Sequence, residues 1–310
     1  NYPVAFKGNT AHVQIKIPDA HLWSPDDPFL YHLTVLLKDK NKTADTYYLP
    51  FGIRTISVTA NQILLNGKPI KLRGFGKHED FPIFGRGTAL PVMIKDFSLL
   101  KWIGANSFRT SHYPYSEQYM DMADEQGIMV IDETPSVGLF FDDTLIGERK
   151  KICERFIREM VARDKNHPSV IMWSLANEPI PAQDERRPNA DAVANDTTLA
   201  FFKDLFKTVK SLDSSRPATT ANLAGAPVQW LGLADVVCIN RYYGWYTSPG
   251  DLNAGVHQFS KELDYLHQTL KKPIGMTAFG SDAYPGINAP ETGMFSEEYQ
   301  TEFIKRYLDV

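Results

Sequence analysis

Cysteine is scarce. The 310 residues contain two, Cys153 in a helical stretch and Cys238 in an apolar run, too few and too far apart for a disulfide framework or a metal-ligand spacing. Both read as buried thiols, and they leave the compartment open. Long apolar runs are missing too: VVCIN and SVIMWSLA are the longest, far short of the roughly 20 residues that a spanning helix needs. The sequence therefore reads as soluble, with no membrane partner. A basic excess is also lacking. With a net charge of −4, a pI of about 6.1 and no Lys/Arg cluster, the chain offers no field for nucleic acid. Finally, no strand runs into G-x-G-x-x-G or G-x-x-x-x-G-K, because Gly74-Phe75-Gly76 leads to Lys77-His78-Glu79 and lacks the third glycine. That counts against a doubly wound nucleotide-binding sheet, and no cofactor is implied.

What is present is an ordinary globular composition, 43% hydrophobic and 23% charged, with 12% aromatic residues suited to a filled core or an aromatic-lined cleft. Residues 1–60 alternate with the two-residue period of half-exposed strands in HVQIKI, YHLTVLL and TYYLPFGIRTISV. This predicts the C-terminal part of a β-sandwich, since a complete one needs about seven strands. After the hairpin signal Asn66-Gly67 the pattern changes, and residues 61–310 alternate apolar runs with amphipathic helices. Strands are expected at IKLRGFG, NSFRTSH, IMVIDETP, SVIMWSLANEP, PATTANL, DVVCINRYY and PIGMTAFG. The intervening helices carry apolar residues at three-and-four spacing, as in Phe156, Ile157, Met160 and Val161. Seven strand–helix pairs predict a (β/α)8 TIM barrel with one strand missing.

Chemistry in such a barrel gathers at the carboxyl ends of the strands, and these ends are polar. They read Lys77-His78-Glu79-Asp80, Arg109-Thr110-Ser111-His112, Asp132-Glu133, Asn177-Glu178-Pro179 and Asn240-Arg241-Tyr242-Tyr243, with Ala278 closing the seventh strand. A single His or Glu there has a structural explanation, and Arg109 has one in an ion pair to Asp132 or Glu133. Five polar ends converging on one mouth suit a polyol such as a sugar, whose hydroxyls take Asn, His, Glu and Tyr partners while aromatic faces cover its C–H surface. A metal reading of His78, Glu79 and His112 lacks any His-x-His or His-Glu-x-x-His spacing, so no metal is expected.

The segments FGKHED, FRTSHYPYSEQYMDMADEQGIMVIDETP, MWSLANEP, INRYYGWY and MTAFGSD resemble the successive strand-end motifs of the β-glucuronidases, in the glycoside hydrolase family that also holds β-galactosidases and β-mannosidases. The resemblance covers essentially the whole chain, and NRYYGWY and KHED favour a glucuronidase. It implies a retaining β-glycosidase: an immunoglobulin-like sandwich leading into the barrel, a glucuronide or related carbohydrate ligand, and homo-oligomeric assembly of the full-length protein. Retaining enzymes use two carboxyl groups about 5–5.5 Å apart, one protonating the leaving oxygen and one attacking the anomeric carbon. By resemblance Glu178 is the acid/base and Asn177 donates to the sugar 2-hydroxyl. His78, Asp80, His112, Asn240, Tyr242 and Tyr246 contact the sugar or support the nucleophile, and Arg109 holds the nucleophile ionised.

One motif departs. Where the family reads Thr-Glu-Phe-Gly, this chain reads Thr277-Ala278-Phe279-Gly280. A methyl group cannot attack carbon; Asp282 lies four residues on and Glu291 further still. With the other motifs intact, a deliberate replacement of Glu by Ala278 is the simplest reading and a carbohydrate-binding pseudoenzyme the alternative. The resemblance also implies a second, N-terminal sandwich and a later Asn-x-Lys motif that reads the glucuronate carboxylate. Neither is in this sequence, so it is expected to be a piece of a longer protein, with an open barrel edge that would not fold cleanly alone.

Overall fold

A computed structural model describes residues 2–40, 42–87, 89–141, 145–181, 196–288 and 293–310. Near the N-terminus β1 (Tyr31–Asp39) and β2 (Lys42–Phe51) form an antiparallel ribbon. A small antiparallel sheet follows, made of β3 (Ile56–Val58), β4 (Ile63–Leu65) and β5 (Lys68–Ile70). The barrel strands are β6 (Gly74–Lys77), β7 (Ser107–Thr110), β8 (Met129–Glu133), β9 (Val170–Asn177), β10 (Ala218–Asn222), β11 (Val237–Asn240) and β12 (Ile274–Ala278). They form one parallel sheet in sequential order. Helices α1 (Leu90–Trp102), α2 (Glu117–Gln126), α3 (Ile146–Asp164), α4 (Asp196–Leu212), α5 (Val228–Leu231), α6 (Leu252–Leu270) and α7 (Glu297–Leu308) alternate with the strands. None of the described helices is long and apolar enough to cross a membrane.

All seven expected barrel strands are present, with three revisions around them. The first expected run, Ile70–Gly76, is split: Ile70 ends β5 and the barrel strand starts at Gly74. The run Thr46–Val58 is likewise divided between β2 and β3. His12–Ile17, despite its alternation, belongs to no strand among the described residues, because alternation marks a face to bury and a strand also needs a hydrogen-bonding neighbour. On α3 the buried stripe is Cys153, Ile157, Met160 and Val161; Cys153 lies one turn before Ile157 and takes the place expected for Phe156, which is only half-buried.

Strands β8 to β11 are buried along their whole length, as expected for parallel strands covered on both faces. Strand β10 reads ATTAN, and its polar groups are satisfied locally: Thr219 Oγ1 donates to Val236 O at 2.8 Å and Asn222 Nδ2 to Cys238 O at 3.0 Å. The sheet curls far enough for Arg109 on β7 to donate from Nε to Thr277 O on β12, 3.2 Å away.

The amino ends of the strands are closed by the preceding segments. Trp23, fully buried, packs with Ile63, Leu65, Met129, Ile131, Ile171 and Met172, and its Nε1 donates to Asp124 O at 2.9 Å. Arg54 donates to Pro168 O and Val170 O at 3.0 and 2.6 Å. Helix α2 ends at Gly127, whose φ of +71° is left-handed and whose Cβ, if present, would lie 2.4 Å from Pro25 O. Glycine is required there twice over. With this end plugged, the polar groups face the opposite, carboxyl end.

Candidate active site

The centre of the mouth is a continuous polar network spanning five strands. Arg109, 3% exposed, donates from Nη1 to Glu133 Oε2 and Oε1 at 2.8 and 2.9 Å and to Asn177 Oδ1 at 3.1 Å. Glu133 is wholly buried; it also accepts from Ser174 Oγ at 2.7 Å, and His112 Nδ1 lies 2.8 Å from its Oε1. Burial alone would push its carboxyl up, but the bonds from His112, Arg109 and Ser174 outweigh burial and hold it below the ordinary carboxylate value. Arg109 thus has the ion pair that its structural reading required, with Glu133 as partner, and it also reaches the last turn of β12 through Thr277 O.

Asn240, at the end of β11, ties β9 to β12. Its Nδ2 donates to Glu178 Oε1 at 2.8 Å and Asn177 Oδ1 at 3.1 Å, and its Oδ1 accepts from Thr277 Oγ1 at 2.7 Å. Glu178 is half-buried and has φ of +50°. A non-glycine residue in that region is strained by about 1 kcal/mol or more, and such residues concentrate at functional sites. Its N–H donates to Ala221 O at 2.7 Å, which turns the side chain off the sheet and onto Asn240. In the β11–β12 register Asn240 pairs with Ala278, and Arg241 N donates to Ala278 O at 3.0 Å. Glu178 and the Ala278 position therefore flank the same asparagine.

The rim is looser. The His78 ring meets His112 edge to face, centroids 5.3 Å apart; partial burial, then His112, Arg109 and Arg86, hold His78 below the ordinary imidazole value. Tyr242 stands edge to face with Tyr246 at 5.3 Å; burial, then the charge of Glu178, push its hydroxyl up to about 12. Tyr246, Asp80 and Asp282 are exposed. Glu291 lies outside the described residues. The Glu79 carboxylate is engaged at the start of α2, where it accepts from Ser116 Oγ at 2.6 Å and Ser116 N at 3.2 Å. Among the described residues the metal-compatible grouping is Asp121, Asp124 and His167, and Asp124 and His167 already pair at 2.6 Å.

Sequence reading brought Arg109, His112, Asn177, Glu178, Asn240 and Ala278 to one place, with His78, Tyr242 and Tyr246 around them. It gave Glu133 only a structural part, noted Thr277 only as part of a motif, and overlooked Ser174. The signal for Glu133 was its type: a carboxylate ending a strand beside an arginine-ended strand needs that arginine once buried.

The pattern described as "Glycosyl hydrolases family 2, TIM barrel domain" matches residues 56–310, and "Glycosyl hydrolases family 2" matches residues 3–54. The chain belongs to glycosyl hydrolase family 2. Similar family members include the beta-glucuronidase of Paenibacillus borealis, 42% identical over 98% of this chain and 50% of that protein. The beta-glucuronidase of Mus musculus is 41% identical over 96% of this chain and 45% of its own length. Among solved structures, the Bifidobacterium dentium beta-glucuronidase complexed with coumarin-3-O-glucuronide superposes with a TM-score of 0.85. It is 39% identical, over 94% of this chain and 47% of that one. The Ruminococcus gnavus enzyme in complex with D-glucuronic acid gives a TM-score of 0.82 at 38% identity, over 94% and 49%. The chain spans about half the length of these relatives.

Proposed function

We propose that this chain carries the acid/base side of a retaining β-glucuronidase site, and that the full-length protein binds β-D-glucuronides and, with Ala278 in the nucleophile position, hardly turns them over. In this reading Glu178 enters the reaction protonated and donates to the leaving oxygen. Asn177, fixed between Arg109 and Asn240, holds a ring hydroxyl, while Tyr242 and Tyr246 cover the sugar's apolar face. Arg109 and Thr277 shape the end of β12 where an attacking carboxylate would begin.

The observation that carries the reading is Asn240: its side chain holds Glu178 and its backbone pairs with Ala278, so the acid/base and the nucleophile position stand on either side of one residue. The glucuronide assignment is supported by relatives named beta-glucuronidase at about 40% identity and by solved structures whose ligands are glucuronides or uronic-acid analogues.

The test is Ala278→Glu in the full-length protein, assayed on p-nitrophenyl β-D-glucuronide and on the galactoside and mannoside. Restoring the carboxylate should raise turnover on the glucuronide by about 10³-fold or more. Azide should partly reactivate the Ala278 form by attacking in place of the carboxylate. Binding without hydrolysis after Ala278→Glu would favour a carbohydrate-binding protein, and preference for another sugar would move the specificity within the family.

A further inference from the structure

Glu133, at the end of β8, has no surface open to a ligand. It is 0% exposed, whereas the His112 side chain that meets it is 26% exposed. Because Nδ1 of His112 is turned onto a buried carboxylate, the exposed edge of the ring is the one bearing Nε2. Two groups compete for Nδ1. Glu133 Oε1 lies at 2.8 Å and can only accept, whereas Arg109 Nη1 lies at 3.4 Å and can only donate. Arg109 Nη1 is already committed to both oxygens of Glu133 and to Asn177, and the shorter contact to an ionised acceptor is the stronger. The carboxylate therefore decides where the imidazole proton goes.

We propose that Glu133 is a positioning residue that keeps the His112 proton on Nδ1, so that the outward Nε2 presents a lone pair and His112 reads a sugar hydroxyl as a hydrogen-bond acceptor. Ser174, donating to Oε2 at 2.7 Å, holds the other oxygen and fixes the carboxylate plane. The bonds that keep Glu133 below the ordinary carboxylate value agree with an ionised acceptor. The sugar half of the proposal rests on the glucuronide-site reading above; the tautomer half does not need it.

Two-bond ¹H–¹⁵N correlation spectra of the full-length protein, labelled on histidine, distinguish the tautomers without ligand; the His112→Asn variant assigns the His112 signals. Neutral His112 is expected with its proton on Nδ1. In Glu133→Leu the proton should move to Nε2, and in Glu133→Asp, which keeps a carboxylate, it should stay on Nδ1. Calorimetric titration with p-nitrophenyl β-D-glucuronide should show affinity about tenfold weaker for Glu133→Leu, the size of one lost hydrogen bond. Should Glu133→Leu fail to fold, the unmodified protein decides alone: a proton on Nε2 overturns the proposal. An unmodified protein that shows Nδ1–H but binds no glucuronide overturns the sugar-site reading. One that binds glucuronide with Nε2–H overturns the role of Glu133.

Discussion

Replacing Arg109 with Met leaves a wholly buried carboxylate, Glu133, without its cation. The substitution removes the contacts of 2.8 and 2.9 Å to Glu133, 3.1 Å to Asn177 and 3.2 Å to Thr277 O. At 2.8 Å and an effective dielectric constant near 20 the gross attraction is about 6 kcal/mol, and breaking a buried pair from one side typically costs about 3–5 kcal/mol. His112 and Ser174 remain on Glu133, and Met fills most of the arginine stem, so a loss of about 3–4 kcal/mol is expected at pH 7. Adding Glu133→Leu removes the stranded charge. The double variant should recover at least half of that loss, for a coupling energy above about 1.5 kcal/mol. Urea unfolding of the full-length protein, followed by tryptophan fluorescence and circular dichroism, measures both. The pH dependence follows from the sign of the shift. Glu133 is held below its ordinary value, so its contribution to stability is complete above the unfolded carboxylate pKa of about 4.3 and is lost as pH falls through the folded value. The difference between parent and Arg109→Met should therefore shrink in acid. A single-variant loss below about 1 kcal/mol, or strictly additive losses in the double, would refute the buried-pair argument.

Asp132 and Asp164 are both fully buried and adjacent, and burial, then the neighbouring Asp164, push Asp132 well above the ordinary range. A raised folded pKa means that stability is complete below the unfolded value and falls as pH rises above it, by up to about 1.4 kcal/mol per pH unit; Asp132→Asn should flatten that slope in stability measured from pH 4 upward. Trp23→Ala opens a cavity in the barrel plug and breaks the bond to Asp124 O; a loss of about 3–5 kcal/mol in the same urea assay is expected. At Gly127, alanine must adopt φ of +71° and meet Pro25 O at 2.4 Å, so Gly127→Ala should lower stability by more than about 1 kcal/mol. A neutral result at Gly127 would mean that the Pro25 segment is not seated against α2.

Most of the barrel was legible because its signals are local. Runs such as SVIMWSLAN can only be covered on both faces, and the longer helices, α1, α3 and α7 among them, show their buried stripes in three-and-four spacing. The N-terminal region was less legible: HVQIKI and YHLTVLL alternate equally well, yet among the described residues only the second finds a partner, and pairing depends on distant sequence. At the site, residue types at strand ends located the mouth and the resemblance named Glu178 and Ala278. Asn240, assigned to the sugar or the nucleophile, also holds Glu178. Glu133 was offered only as a structural partner because its importance lies in burial and in simultaneous bonds to Arg109, His112 and Ser174, none of which a one-dimensional reading counts.

In the proposed site Glu178 is the acid/base, across Asn240 from a vacated nucleophile position. The most direct measurement is the turnover of p-nitrophenyl β-D-glucuronide by the full-length protein before and after Ala278→Glu. A rise of about 10³-fold or more is expected, abolished again by Glu178→Gln. A folded Ala278→Glu protein that binds the glucuronide but gains no hydrolysis would contradict that assignment.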